Sequence, residues 1–439
     1  AGLSAAASLQ NQDFLLCELS DELGGSSGCH QHQGTIFSQG AHYELTYPNY
    51  FGDDVLAFLE KLNVVRFNDI TQKWDYTDHV YLIPPKRESQ CFDDGQFRID
   101  VLPDEGYDTF FEFIEPLTGK LKLPTSSIDS RWHSLNQESF QTYLRRSIQL
   151  PDHFYRGLDY HMIDDFGGTS REVSALAGMY YYANRPYETS EHEIFSPPEG
   201  NFYFARKIIE KLPKEQLQTN HLVRRIRPIS AGFEAEVANL KDMTLSIIRA
   251  NKVVYAGQKH ALKYVFPEVF KPFLKNVYAP WVVVNLLVKK GALGKGYWQN
   301  EFLGAERSFM GFVDSDAQQS LGDFRTLTAY YCFPTWQREK VLALSDEQQA
   351  QQLVHDTVEK VSQFFGIDAL EMSSLVEKVY LKPMGHAMPV PIPNYLFQDK
   401  NLERPFANLT YAGVDNSRLP LLFEALDSGL EAARHLVST

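Results

Sequence analysis

The opening thirty residues limit the fold more than any later stretch. Ala1-Gly2-Leu3-Ser4-Ala5-Ala6 starts a small-residue helix that runs to Leu9, and Asn11-Gln12-Asp13 turns the chain. Phe14-Leu15-Leu16-Cys17 is then a short apolar strand ending on Glu18, followed by the glycine-rich loop Gly24-Gly25-Ser26-Ser27-Gly28. A helix, a strand, an acid at the strand's carboxyl end and a glycine loop make the second half of a dinucleotide-binding βαβ unit, whose acid takes the ribose hydroxyls of an adenosine. Gly2 is then the third glycine of G-x-G-x-x-G, where a missing side chain lets helix and strand pack closely. The first strand and first two glycines have no counterpart, so the pattern predicts that the unit begins about 30 residues or fewer upstream of Ala1.

A net charge of −14 opposes binding to nucleic acid or an anionic membrane surface and suits a cationic substrate. The longest apolar run, Ala279-Pro280-Trp281-Val282-Val283-Val284, is far short of the roughly 20 residues of a membrane span and reads as a buried strand. Cys17, Cys29, Cys91 and Cys332 show no paired spacing, and Cys29-His30-Gln31-His32 has no second Cys/His cluster to complete a metal site. At 439 residues the chain can hold two domains or one large two-layer unit.

Helical spacing predicts helices over 54–62, 139–150, 171–182, 201–211 and 346–365, the last capped by Asp346 and stopped at Gly366. Short strands are predicted at 34–37, 80–83 and 96–99. From residue 219 the pattern changes to a β-meander (221–226, 232–237, 245–248) leading into 252–257, a strand that ends in small residues. Further strands at 281–289, 307–314, 325–333 and 375–381 suffice for an antiparallel sheet. The proline-rich 383–393 is predicted as extended loop. Leu409-Thr410-Tyr411-Ala412-Gly413 is again a strand closing on small residues, followed by a helix from about 420 to 436. A helix start at such a point offers free N–H groups and a partial positive charge to a phosphate or an electron-rich ring.

With both ends sharing this pattern, and Pro280-Trp281-Val282-Val283-Val284-Asn285 followed by Trp298-Gln299-Asn300 between them, the chain resembles the flavin-dependent amine oxidases over its whole length. This group includes monoamine and polyamine oxidases, phytoene desaturases and protoporphyrinogen oxidases. Within it, the chain is most similar to the bacterial spermidine-dehydrogenase-like FAD oxidoreductases. The resemblance implies an α/β fold: a Rossmann-like FAD-binding domain from 1–78, 215–270 and 405–439, interleaved with an α+β substrate domain from 79–214 and 271–404 built on an antiparallel or mixed sheet. It places Gly2 at the FAD pyrophosphate helix, Glu18 on the adenosine ribose, and Gly24, Gly25 and Ser26 over the pyrophosphate. Gly40, Ala41 and His42 run beside the flavin ring, and Val223 meets the adenine through its backbone. Gly413, Asp415 and the helix starting near Leu419 hold the ribityl chain and the N1–C2=O edge of the flavin. The chain departs from the family in having Ser26-Ser27 where an Arg usually follows Gly-Gly, and in carrying its acid at Asp415, after Val414.

The implied chemistry is oxidation of a C–N or C–C bond by hydride transfer to the flavin, with oxygen or another acceptor reoxidising it. Such a reaction needs no acid–base triad. Trp298, Tyr331 and His386 are the candidate substrate walls, and Lys289 and Lys295 are candidates for the lysine that reaches the flavin N5 through water. A flavin-dependent desaturase of a lipid-like or cyclic substrate and a flavin-fold scaffold without catalysis are the alternatives.

Overall fold

The computed structural model describes residues 1–40, 48–83, 89–184, 194–304 and 308–438. Its largest element is a seven-stranded sheet in the order Val376–Pro389, Tyr278–Lys289, Phe324–Cys332, Phe309–Asp314, Gln299–Phe302, Ser89–Asp93, Gln96–Arg98. All neighbours run antiparallel except Gln299–Phe302 and Ser89–Asp93. The period-2 alternation of a strand sends Val282, Val284, Leu286 and Val288 to one face, where helix Glu347–Phe365 covers them through Val358, Val361 and Phe364. Trp281 and Val283 point to the other face and join the main core.

The expected loop over 383–393 is corrected by the structure. The edge strand continues through Pro383 to Pro389, pairing Pro383 with Val282 and Pro389 with Tyr278. Proline lacks an N–H, and an edge strand is where a sheet tolerates that loss. The predicted strand at 281–289 is present and begins three residues earlier, at Tyr278, while the strand at 325–333 and the capped helix stopped at Gly366 are present within a residue.

The parallel part of the fold is small. Leu16–Cys17 pairs with Leu217–Gln218, Val253–Tyr255 pairs with Leu409–Tyr411, and among the described residues no ladder joins the two pairs. The meander His221–Ile229, Gly232–Asn239, Thr244–Ala250 stands beside them. Helix Gly2–Ser8 packs along the long C-terminal helix Leu422–Ser438 and touches Val253–Tyr255. Both close approaches rest on glycine: a Cβ on Gly2 would sit 3.2 Å from Ala256 Cβ, and one on Gly429 would sit 2.2 Å from the Ala1 carbonyl oxygen. Ser4 Oγ donates to the Leu426 carbonyl at 2.9 Å across the same helix pair.

Candidate functional site

Glu18 sits at the carboxyl end of its strand, where its N–H donates to the Gln218 carbonyl of the parallel neighbour and its carbonyl accepts from the His221 N–H at the start of the meander. Its Oε1 accepts the Ser20 N–H at 2.9 Å, which leaves the second carboxylate oxygen open among the described residues. Gly24 and Gly25 carry φ of +128° and +61°, a left-handed turn that L side chains adopt only with strain, and space is open above Gly25. Ser26 is exposed on this loop. Val223 lies at a β-bulge, where the ladder to Val237 skips to Arg225 and interrupts the regular backbone pairing.

Gly40 follows the hairpin Cys29–His32, Thr35–Ser38 and presses on the large sheet, where a Cβ would fall 2.2 Å from Val283 Cγ2. Ala41 and His42 lie outside the described residues.

The loop after Tyr411 is the most heavily braced part of the site. Gly413 carries φ +142°, and a Cβ there would stand 2.9 Å from Lys259 Nζ and 3.0 Å from Asp415 Oδ1, so backbone conformation and space both call for glycine. The Asp415 carboxylate accepts from the Lys259 N–H at 2.9 Å and the Tyr278 hydroxyl at 3.2 Å, and pairs with Lys259 Nζ at 3.2 Å. Lys259 Nζ also donates to the Ala412 carbonyl at 2.7 Å and is fully buried. Burial pulls the Lys259 ammonium below its usual range against the pull of Asp415. Asp415 is thus an internal brace, while the open polar atoms of this loop belong to its neighbours. Asn416 Oδ1 and Ser417 Oγ are buried without a partner among the described residues. Arg418 anchors the loop to the C-terminal helix, donating to Asp427 at 2.6 Å and Glu424 at 3.3 Å and pairing with Glu431. Leu419 is fully buried, and the helix proper starts at Leu422.

The candidate substrate walls separate. Trp298 is packed in the core with its indole N–H donated to Ser196 Oγ at 2.7 Å. Tyr331 points to the helix-covered face, where its hydroxyl meets Thr357 Oγ1 at 2.9 Å. The residue that shares the Trp281–Val283 face is Tyr330, stacked on Trp281 at 5.5 Å and 7°. Strand periodicity carries this signal, and a one-residue choice on Tyr330-Tyr331 inverts it. His386 stands at a bulge in the edge strand, stacked on His260 at 3.8 Å with Tyr278 edge-on. Burial, with His260 and Arg338 nearby, lowers its imidazole to about 4, so the ring is neutral at pH 7. Lys289 and Lys295 are both exposed.

Residues that sequence reasoning missed are Lys259, Tyr278, Arg418 and Tyr330, whose roles depend on three-dimensional partners rather than on any local motif. A dinucleotide with a flavin ring fits this set. The positive-φ cradle at Gly24-Gly25, the open Glu18 oxygen and the orphaned Asn416 and Ser417 atoms are groups that such a cofactor would satisfy. Among the described residues no three His, Cys, Asp or Glu side chains gather to hold a metal ion, and the four cysteines are free. No described helix is long and apolar enough to cross a membrane.

The sequence profile of flavin containing amine oxidoreductases matches residues 1–437. No curated protein sequence matches the chain. Among solved structures, cyclohexylamine oxidase from Brevibacterium oxydans IH-35A is similar with a TM-score of 0.62 at 13% identity, over 99% of this chain and 96% of that one. Wild-type putrescine oxidase bound to putrescine is similar with a TM-score of 0.64 at 12% identity, over 100% and 96%. An oxidoreductase from Methanosarcina mazei is similar with a TM-score of 0.56 at 13% identity, over 98% and 97%. At these identities the likeness to solved structures is one of fold.

Proposed function

Because this chain belongs to the family of flavin-containing amine oxidoreductases and is an FAD-dependent oxidoreductase, we propose that it oxidises a small amine, with a polyamine of the spermidine type as the preferred class. The family match over 1–437 carries this reading, and the open polar atoms at Glu18, Asn416 and Ser417 support it. We assign the cofactor to 1–78, 215–270 and 405–439, and the substrate to the remainder. FAD held there would supply a two-electron acceptor for oxidation of the carbon next to the amine nitrogen.

The chain's own residues then hold and orient. Glu18 takes the ribose hydroxyls, Gly24, Gly25 and Ser26 offer backbone to the pyrophosphate, and Asn416 and Ser417 take polar atoms beyond it. Asp415 and Lys259 fix the backbone of that loop rather than touching the ligand. We assign Trp281, backed by the buried Tyr330 and Val283, as the apolar wall beside the donor C–H. The net charge of −14 favours approach of a cationic amine. A cyclic or lipid-like donor is the second reading, supported by the apolar character of that wall.

The test is an absorption spectrum of the purified chain with and without added FAD, followed by an anaerobic screen of amines read as bleaching of the flavin band. Flavin bands bleached by a polyamine support the proposal. A folded chain that neither retains nor takes up FAD overturns it. Bleaching by cyclic or lipid-like donors alone moves the assignment to the second reading.

A further inference from the structure

Thr244–Ala250 closes one side of the meander and pairs on one flank only, with Gly232–Asn239. Among the described residues its outer backbone groups meet no other strand. None of its seven residues is buried, and Leu245 and Ile247 are 54% and 52% exposed, so the strand adds no buried side chain to the core. Met243, at the turn before it, is 82% exposed. Alternation assigns the faces. Phe233 and Val237 of the middle strand are buried inward, so Glu234, Glu236 and Ala238 face outward, and the register sets Arg249, Ile247 and Leu245 beside them. The charges there are matched within the chain, Glu234 with Arg249 at 3.4 Å and Glu236 with Arg227. The outer face is therefore balanced in charge and ends in an apolar, unpaired edge. The opposite edge of the meander differs. His221–Ile229 carries a bulge at Val223–Arg225 and a proline at 228, both of which obstruct pairing. The ladder to Thr244–Ala250 has no register shift, and that strand holds neither proline nor lysine.

We propose that Thr244–Ala250 is a dimer interface, pairing antiparallel with the same strand of a second copy so that two meanders make one six-stranded sheet across a twofold axis. Length is the first argument. The antiparallel register that uses all seven residues on both sides is the one centred on Ile247, which then meets its own copy, while Leu245 lies opposite the partner's Arg249. Chemistry is the second. The aliphatic stem of Arg249 covers the apolar Leu245 while its guanidinium stays with Glu234, so no charge is stranded in the seam. Charge is the third. A face whose acids and bases are already matched suits an identical face and offers nothing to a strongly acidic or basic partner. Each chain has one such edge, so the pairing closes at two copies and does not propagate. The contact is small, which makes the dimer a weak one that depends on concentration.

The experiment is sedimentation velocity of the full chain over about 1–100 µM, where wild type should pass from monomer to dimer. Ile247→Lys sets two like charges against each other on the twofold axis and should weaken association at least about tenfold. Ile70→Lys, at an apolar residue that is 95% exposed outside the meander, should leave it unchanged. Position 245 tests the register. Leu245→Arg, set against the partner's Arg249, should weaken the dimer about tenfold, whereas Leu245→Glu in the same place should associate as wild type does. Apolar contact without strand pairing would be lost in both. Should Ile247→Lys not fold, the two variants at 245 still decide the matter. Wild type that stays monomeric throughout overturns the proposal. A dimer indifferent to Ile247→Lys also overturns it and puts the interface elsewhere. Equal weakening by Leu245→Glu and Leu245→Arg overturns the strand-to-strand register. None of these measurements involves FAD, so their failure and that of the functional reading are separate.

Discussion

Lys259 ties the ends of two parallel strands together from a position with no solvent contact. Its ammonium reaches the Ala412 carbonyl and the Asp415 carboxylate, so one side chain joins the exit of Val253–Tyr255 to the exit of Leu409–Tyr411. Such a pair is weak evidence for stability as a unit, because desolvation of both charges offsets most of their attraction. Breaking it is another matter. Lys259→Met leaves the Asp415 carboxylate buried with only neutral donors, and should lower stability by about 3 kcal/mol, read as a fall in the urea midpoint. The double variant Lys259→Met/Asp415→Asn should recover a large part of that loss, since no charge is then stranded. Additive losses in the double variant would show that the two side chains do not act as a pair.

At the scale of elements, the C-terminal helix Leu422–Ser438 carries Glu424, Asp427 and Glu431 on one stripe, and all three face Arg418. Glu424 also accepts the Thr125 N–H at 2.7 Å and the Thr125 hydroxyl, which fastens 125–127 to the helix. Burial raises the Glu424 carboxyl to about 7 despite Arg418. In the unfolded chain it titrates near 4.5. Between these values the folded state holds a proton that the unfolded state has released, so stability falls as pH rises from 4.5 to 7, by up to about 3 kcal/mol from this group. Below 4.5 the cost is absent. Glu424→Gln should remove that slope, seen as a difference between variant and wild-type urea midpoints that grows from pH 4.5 to 7. A constant difference across the window would show that Glu424 is ionised throughout.

The same scale shows what a sequence can and cannot announce. The strand–Glu18–Gly24-Gly25 succession and the long helix ending at Gly366 were legible because local chemistry decides them: left-handed turns need glycine, and a cap needs Asp346. The strand through Pro383 was illegible, because whether a missing N–H matters depends on which strand lies at the edge. Tyr330 and Tyr331 are indistinguishable by composition, and only the register against Val283 and Val282 assigns their faces. Lys259 carries no motif, and its significance is a matter of its partners, Asp415 and the Ala412 carbonyl.

On the scale of the whole molecule, the two ends of the chain meet through helix Gly2–Ser8 and helix Leu422–Ser438, yet among the described residues their parallel strand pairs share no ladder. The seven-stranded sheet, in contrast, is packed on both faces. Stability is therefore expected to be uneven, with backbone amides at 16–28 and 409–418 exchanging far faster than those of Val282–Leu287 in the cofactor-free chain. A dinucleotide that touches Glu18 and Gly24-Gly25 at one end and Asn416-Ser417 at the other can be bound only when both segments are in place. Its binding energy then falls on both at once. At FAD one hundred times its Kd, linkage adds about 2.7 kcal/mol, so exchange in 16–28 and in 409–418 should slow together by about 100-fold. Hydrogen exchange with mass-spectrometric readout checks this. Protection gained in one segment alone would mean that the cofactor is held by half the site, and that the parallel strand pairs open and close independently.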